Sequence, residues 1–171
     1  MSENKIASFD AVNSQTFGDI LNVKKANCSI KVGLLGCGYF EYWRMYPSLK
    51  GKVENDLQKV YKRLCKDFKV VYPCMVDTLD KAEEAGKAFA DANVEVIIVV
   101  EGTYLPDFIT LHAIEHVSNA QIILFDTQTG SDISPNDNYE ATMRNSAFIG
   151  ISQLTGTFRG FLSKGTKILA A

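Results

Sequence analysis

Two short polar stretches, Glu101–Tyr104 and Asp126–Gln128, carry the side chains best suited to chemistry. Between them they offer carboxylates, hydroxyls, an amide and the aromatic ring of Tyr104. A polyol ligand needs several directional donors and acceptors, together with an aromatic face for its C–H side. The two stretches therefore indicate a site for a sugar-like small molecule. On composition alone, a structural role is equally open: Thr103 could cap a helix and Asp126 could form a turn.

A histidine motif suggests a different chemistry. Residues His112 to His116 read H-x-x-E-H, the pattern of one class of zinc protease. Histidines four residues apart can share one helix face and bind zinc with a third ligand. However, these are the only two histidines of the chain, and no acidic helix follows as that class requires. We interpret the pair as part of a partly exposed helix and predict no metal ligand and no catalytic residue in this chain.

A glycine turn raises the possibility of nucleotide binding. Gly36 and Gly38 follow an apolar run, as in the G-x-G-x-x-G fingerprint of dinucleotide-binding proteins. The third small residue should then stand at position 41, which is Glu41. A glutamate there would crowd the helix–strand contact and place negative charge near a pyrophosphate. We favour a tight turn or another kind of ligand loop at Gly38 and Tyr39, with a nicotinamide-dependent oxidoreductase as an alternative.

Strands and helices alternate along the chain and must position these residues. The predicted strands are Ser29–Leu35, Lys69–Tyr72, Val94–Val100 and Ile122–Phe125. The predicted helices are Lys50–Phe68, Leu79–Ala92, Pro106–Ser118 and Tyr139–Leu154. This alternation, with short connections, predicts an α/β fold: an open, doubly wound parallel sheet in three layers, with helices on both faces. Ligands of such sheets bind beyond the carboxyl ends of the strands, where both polar stretches lie.

Composition excludes several classes of function. A chain of 171 residues suits one domain, with 46% hydrophobic and 22% charged residues. A net charge of −2 without a dense basic stretch predicts no nucleic-acid partner. The longest apolar run is far shorter than the roughly 20 residues that span a membrane. The four cysteines form no C-x-x-C pair and the first residues have no signal-peptide core, so we expect reduced thiols and a cytoplasmic location.

Four segments, placed at successive strand ends, resemble the N-terminal domain of the L-arabinose/L-fucose isomerase family. They are Lys31–Phe40 running on to Leu49, Val94–Pro106, Ile122–Thr129, and Asn145–Gly160. The resemblance begins near Ile30 and extends to the end of the chain. Each motif is weak by itself, and their order along the chain gives the resemblance its weight.

The resemblance implies a flavodoxin-like domain that covers the substrate pocket of a neighbouring subunit in a homo-oligomer. Members of the family have three domains and interconvert an aldose and a ketose with Mn²⁺, whose ligands lie in the second and third domains. By position, Tyr104 resembles an aromatic residue that lines the sugar and Gln128 an amide that contacts its hydroxyls. Gly38 stands where a glutamine is usual, and Asp126 where a histidine or asparagine is, so the sugar itself is left open.

From these observations we expect a polar N-terminal arm (1–28), an isomerase-type α/β domain (29–165), and the start of a following domain (166–171). The chain would be the substrate-covering, subunit-contacting domain of a metal-dependent sugar isomerase and would be inactive alone. It would hold no cofactor itself, with Mn²⁺ expected in the complete enzyme. A stand-alone sugar-binding module is the main alternative. The predicted substrate-binding residues are Gly38, Tyr39, Thr103, Tyr104, Asp126 and Gln128.

Overall fold

A computed structural model of the chain describes residues 29–130, 135, 137–161 and 168–170. The predicted N-terminal arm, with Cys28, lies outside the described residues. The other three cysteines, Cys37, Cys65 and Cys74, are free thiols.

Strands and helices alternate in the order that the sequence predicts. The strands are β1 (Lys31–Cys37), β2 (Lys69–Val71), β3 (Val96–Glu101), β4 (Gln121–Leu124) and β5 (Ile168–Ala170). The helices are α1 (Phe40–Met45), α2 (Pro47–Leu64), α3 (Leu79–Ala92), α4 (Asp107–Ile114), α5 (Tyr139–Arg144) and α6 (Ala147–Phe161).

All neighbouring strands pair in parallel, in the spatial order β2-β1-β3-β4-β5. This is the flavodoxin-like strand order, in which the chain changes direction across the sheet between β1 and β3. The predicted fold, an open doubly wound parallel α/β sheet, is confirmed. No helix of the described residues is long and apolar enough to cross a membrane.

The two central strands are buried because helices cover both faces of the sheet. Successive side chains of a strand point to opposite faces. Accordingly, Leu34 packs in a cluster with Leu57 of α2, whereas Leu35 packs in a second cluster with Phe89 of α3 and Leu154 of α6. The unbroken apolar sequences of β1 and β3 therefore reflect burial on both sides.

Helix α3 has the predicted bounds. Thr78 is a favourable N-cap residue, and its hydroxyl accepts a hydrogen bond from the Lys81 amide in the first turn. The helix ends at Asn93, whose φ of 52° lies in the left-handed region that asparagine tolerates better than most residues.

The last predicted helix, residues 139–154, is divided into α5 and α6. The break falls at Asn145 and Ser146, and Ser146 is buried. Its hydroxyl accepts a hydrogen bond from the Tyr104 amide at 3.2 Å and donates one to the Met143 carbonyl at 2.6 Å. The break therefore fastens this segment to the loop after β3.

Other boundaries also differ from the prediction; for example, helix α4 ends at Ile114 and not at Ser118. Helix α2 begins at Pro47, because proline suits the first turn of a helix, and ends at Leu64. At the C-terminal end, the sequence assigns residues 166–171 to the start of a following domain, whereas β5 pairs with β4 in the same sheet.

Candidate functional site

A cleft of about 260 Å³ opens at the carboxyl ends of β3 and β4. It lies on the side of the sheet that α2 covers. Its walls come from α2, the end of β3, the loop after β4 and the last residue of α5. The lining residues are Asp56, Leu57, Lys59, Val60, Val100, Glu101, Gly102, Thr127, Gln128, Thr129 and Arg144.

Glu101, the last residue of β3, borders the cleft, but its carboxyl group packs against Gly150 of α6 on the other face of the sheet. Its side chain is 1% exposed, and neither carboxyl oxygen has a hydrogen-bond partner among the described residues. Burial, reinforced by the negative charges of Asp107 and Asp126, raises its pKa to about 9, although the nearby Leu105 amide acts in the opposite direction. Glu101 is therefore a neutral carboxylic acid at pH 7, able both to donate and to accept a hydrogen bond.

A cluster of charges fixes the outer wall. The guanidinium of Arg144 contacts Asp56 Oδ2 through Nε at 2.8 Å and through Nη2 at 2.6 Å. Lys59 approaches the other oxygen of Asp56 at 2.8 Å. With Glu101 neutral, two positive charges face one negative charge, so the cleft carries a net charge of about +1. The ion pair joins α2 to α5 and holds the planar guanidinium in one orientation.

A second cleft of about 220 Å³ adjoins the first, and Thr129 and Arg144 line both. Here Lys52 pairs with Glu140 at 2.6 Å. Asn145 accepts hydrogen bonds from the Thr129 hydroxyl at 2.9 Å and the Gly130 amide at 3.3 Å. The loop after β4 is thereby anchored to the break between α5 and α6.

Of the six predicted site residues, only Gln128 lines the main cleft. Its side chain is exposed there, between Thr127 and Thr129. Asp126 is also exposed but does not line the cleft; its charge acts on Glu101 instead.

Tyr39 and Tyr104 meet at the switch point between β1 and β3. Their rings pack edge to face with centroids 6.4 Å apart, and Tyr39 also contacts Phe40 and Tyr42. Both tyrosines are half-buried. They form one aromatic cluster at the carboxyl edge of the sheet, outside the lining of the main cleft.

Thr103 and Gly38 have packing roles in this structure. Thr103 is fully buried; its hydroxyl accepts a hydrogen bond from the Tyr39 amide at 3.0 Å and donates one to the Tyr104 carbonyl at 3.3 Å. Gly38 is buried against the Trp43 ring, which a β-carbon would approach to 2.8 Å. Both residues are buried in this packing.

The same packing disfavours a dinucleotide site at the glycine turn. Trp43 occupies the space beside Gly38, and its indole nitrogen donates to Asp77 at 3.0 Å. The following helix, α1, has only six residues and carries Glu41 in its first turn. The turn therefore lacks both the open backbone and the long helix that a pyrophosphate needs.

Sequence reasoning missed the charged wall of the cleft. Arg144 and Asp56 are 88 positions apart, and neither stands at a strand end. The sequence shows Glu101 as a polar residue at the end of a strand. The lack of hydrogen-bond partners for its carboxyl group depends on how α6 packs. The Cα of Gly150 lies so close that a β-carbon there would clash with the Glu101 carboxyl group.

The main cleft does not bring together ligands for the manganese ion that the resemblance implies. The carboxylate of Asp56 is held by Arg144 and Lys59, and the carboxyl group of Glu101 is buried against α6. In the described part of the chain, three potential metal ligands meet elsewhere, at the end of α4.

No family model matches this chain, and no curated protein matches it. Its function therefore has to be argued from the fold and the cleft.

Proposed function

We propose that this chain is the sugar-binding, substrate-covering domain of a metal-dependent aldose–ketose isomerase. The observation that carries the proposal is that Gln128, Thr127 and Thr129 line one cleft at the carboxyl edge of a flavodoxin-like sheet. The resemblance to the L-arabinose/L-fucose isomerase family supports the same assignment. The acid–base groups and the manganese site of the reaction would come from other domains.

The hydrogen-bonding groups of the cleft suit a neutral polyol. Gln128 offers an amide donor and acceptor, and Thr127 and Thr129 offer hydroxyls. Arg144 and Lys59 both pair with Asp56, which reduces but does not cancel the positive charge of the cleft. A volume of about 260 Å³ is slightly below the usual range for small-molecule sites, and it accommodates a monosaccharide in a partly open cleft.

The aromatic cluster of Tyr39 and Tyr104 is a second feature that suits a substrate-covering domain. It lies on the same edge of the sheet, where loops of the domain would close over a pocket in a neighbouring subunit. In that arrangement, this chain orients the sugar and excludes water, and the neighbouring subunit supplies the reaction centre.

Calorimetric titration of the chain with L-arabinose, L-fucose and NADH tests the class of ligand. We expect a sugar to bind and NADH not to. Gln128→Ala should weaken sugar binding about threefold to tenfold, because one hydrogen bond contributes about 0.5–1.5 kcal/mol. Gln121→Ala is the matched control, since Gln121 is exposed at the opposite end of β4, and it should leave the affinity unchanged. Tighter binding of NADH, or equal effects of the two substitutions, would refute the proposal.

A stand-alone sugar-binding module is the second candidate, because this chain lines the cleft entirely with its own residues. Both candidates predict no turnover when the chain is assayed with Mn²⁺ and aldoses. Turnover by the chain alone would contradict both. The reading frame after residue 171 separates them: a continuation that encodes acidic and histidine metal ligands favours the isomerase, and a stop codon favours the module.

A further inference from the structure

A cluster of metal-binding side chains lies at the end of α4, on the opposite face of the sheet from the cleft. His112, Glu115 and His116 each present one ligand atom, and these atoms all lie within 4.8 Å of one another. Positions i, i+3 and i+4 of a helical segment share one face, which explains why the three side chains meet.

Helix α3 contributes a fourth group. Glu83 Oε2 lies 3.8 Å from His112 Nε2, while His112 Nδ1 contacts Glu115 on the other side of the ring. If Nδ1 binds a metal, the neutral imidazole carries its proton on Nε2, which faces the Glu83 carboxylate. This carboxylate–histidine–metal arrangement is the usual way in which proteins orient a histidine ligand.

His116 supplies a second, independent observation. Its Nε2 is buried and has no hydrogen-bond partner among the described residues. The ring packs so closely on α3 that a β-carbon at Gly86 would lie 2.5 Å from His116 Cδ2. The helix contact therefore fixes the ring beside His112, with centroids 5.6 Å apart. A buried polar nitrogen without a partner is costly, and coordination of a metal through Nε2 would offset that cost.

We propose that His112, Glu115 and His116 bind a divalent transition-metal ion such as Zn²⁺, with Glu83 as the positioning residue for His112. Two imidazoles and one carboxylate form a ligand set that zinc accepts in tetrahedral geometry, leaving one position for water or an outside ligand. Binding displaces the direct contact between His112 and Glu115 and draws both rings onto one ion. All three ligands lie at the end of α4, and Glu83 of α3 reaches the ion only through His112, so the site is separate from the sugar cleft.

Competition of the full chain with a chromophoric zinc chelator tests this site. We expect one Zn²⁺ per chain. His112→Ala and His116→Ala should each weaken binding by at least about tenfold, and Glu83→Gln by about tenfold. Glu84→Gln is the matched control, since Glu84 is an exposed neighbour on α3, and should have no effect. Circular dichroism confirms that each variant is folded.

The absorption spectrum with Co²⁺ distinguishes histidine ligands from cysteine ligands. We expect no thiolate-to-cobalt charge-transfer band, because His112, Glu115 and His116 contain no sulfur. The proposal is overturned if no ion binds, if the histidine variants bind Zn²⁺ as tightly as the unmodified chain, or if a thiolate band appears.

Discussion

Replacing Glu101 with glutamine should abolish most of the loss of stability that the protein suffers as the pH rises from 5 to 8. Folding takes Glu101 from water into a site where it stays protonated, with a pKa of about 9 in place of an ordinary value of 4.5. Above pH 4.5 the unfolded chain releases this proton, whereas the folded chain keeps it. The folded state is thus destabilised with rising pH, and the loss continues until the folded pKa is reached.

The expected size follows from the linkage between pKa and stability. Each pH unit between the two pKa values costs up to about 1.4 kcal/mol. The stability of Glu101→Gln relative to the unmodified protein should therefore increase by about 2–4 kcal/mol between pH 5 and pH 8. Urea denaturation at several pH values measures this difference. Burying the glutamine amide has a cost that does not depend on pH. This cost cancels when the stability difference at pH 5 is subtracted from that at pH 8.

The matched control is Glu54→Gln on the exposed side of α2. Its stability should follow that of the unmodified protein across the same pH range. Parallel pH profiles for the unmodified protein and Glu101→Gln would show that Glu101 is ionised in the folded state and would contradict the raised pKa.

Gly86→Ala should destabilise the protein by about 2–3 kcal/mol. Gly86 is buried in α3, where the backbone meets α4: a β-carbon would lie 2.5 Å from the Ala113 carbonyl oxygen and 2.5 Å from His116 Cδ2. A backbone oxygen cannot rotate away, so the two helices would have to separate. This cost outweighs the gain of about 1 kcal/mol that alanine brings to a helix interior.

Gly51→Ala on α2 is the control that measures the effect of helix propensity alone. No atom lies within 4 Å of a β-carbon at Gly51, so this substitution should stabilise the protein by about 0.5–1 kcal/mol. Urea denaturation midpoints compare the two variants directly. Equal stabilisation by both substitutions would contradict the close approach of α3 and α4.

Much of the fold could be predicted because its signals are local. The apolar sequences of β1 and β3 indicate central strands, and Thr78 marks the start of α3 within its own first turn. The break between α5 and α6 could not be predicted, because the Ser146 hydroxyl accepts a hydrogen bond from the Tyr104 amide, 42 positions away.

The candidate site also has a part that local signals predict and a part that depends on long-range contacts. Gln128 could be predicted, since the parallel sheet places every strand end at one edge. The burial of Thr103 could not, because its hydroxyl is used by the neighbouring loop at Tyr39. The lack of hydrogen-bond partners for the Glu101 carboxyl group could not be predicted either, because it depends on the packing of α6 at Gly150.

The most direct test of the sugar-binding account is to map the bound sugar by amide chemical shifts in a nitrogen-15-labelled chain. We expect L-arabinose or L-fucose to shift the amides of residues 101–104, 127–129 and 144. The amides at the opposite edge of the sheet, around Gln121, should not move. Shifts confined to that opposite edge, or no shifts at saturating sugar, would contradict the account.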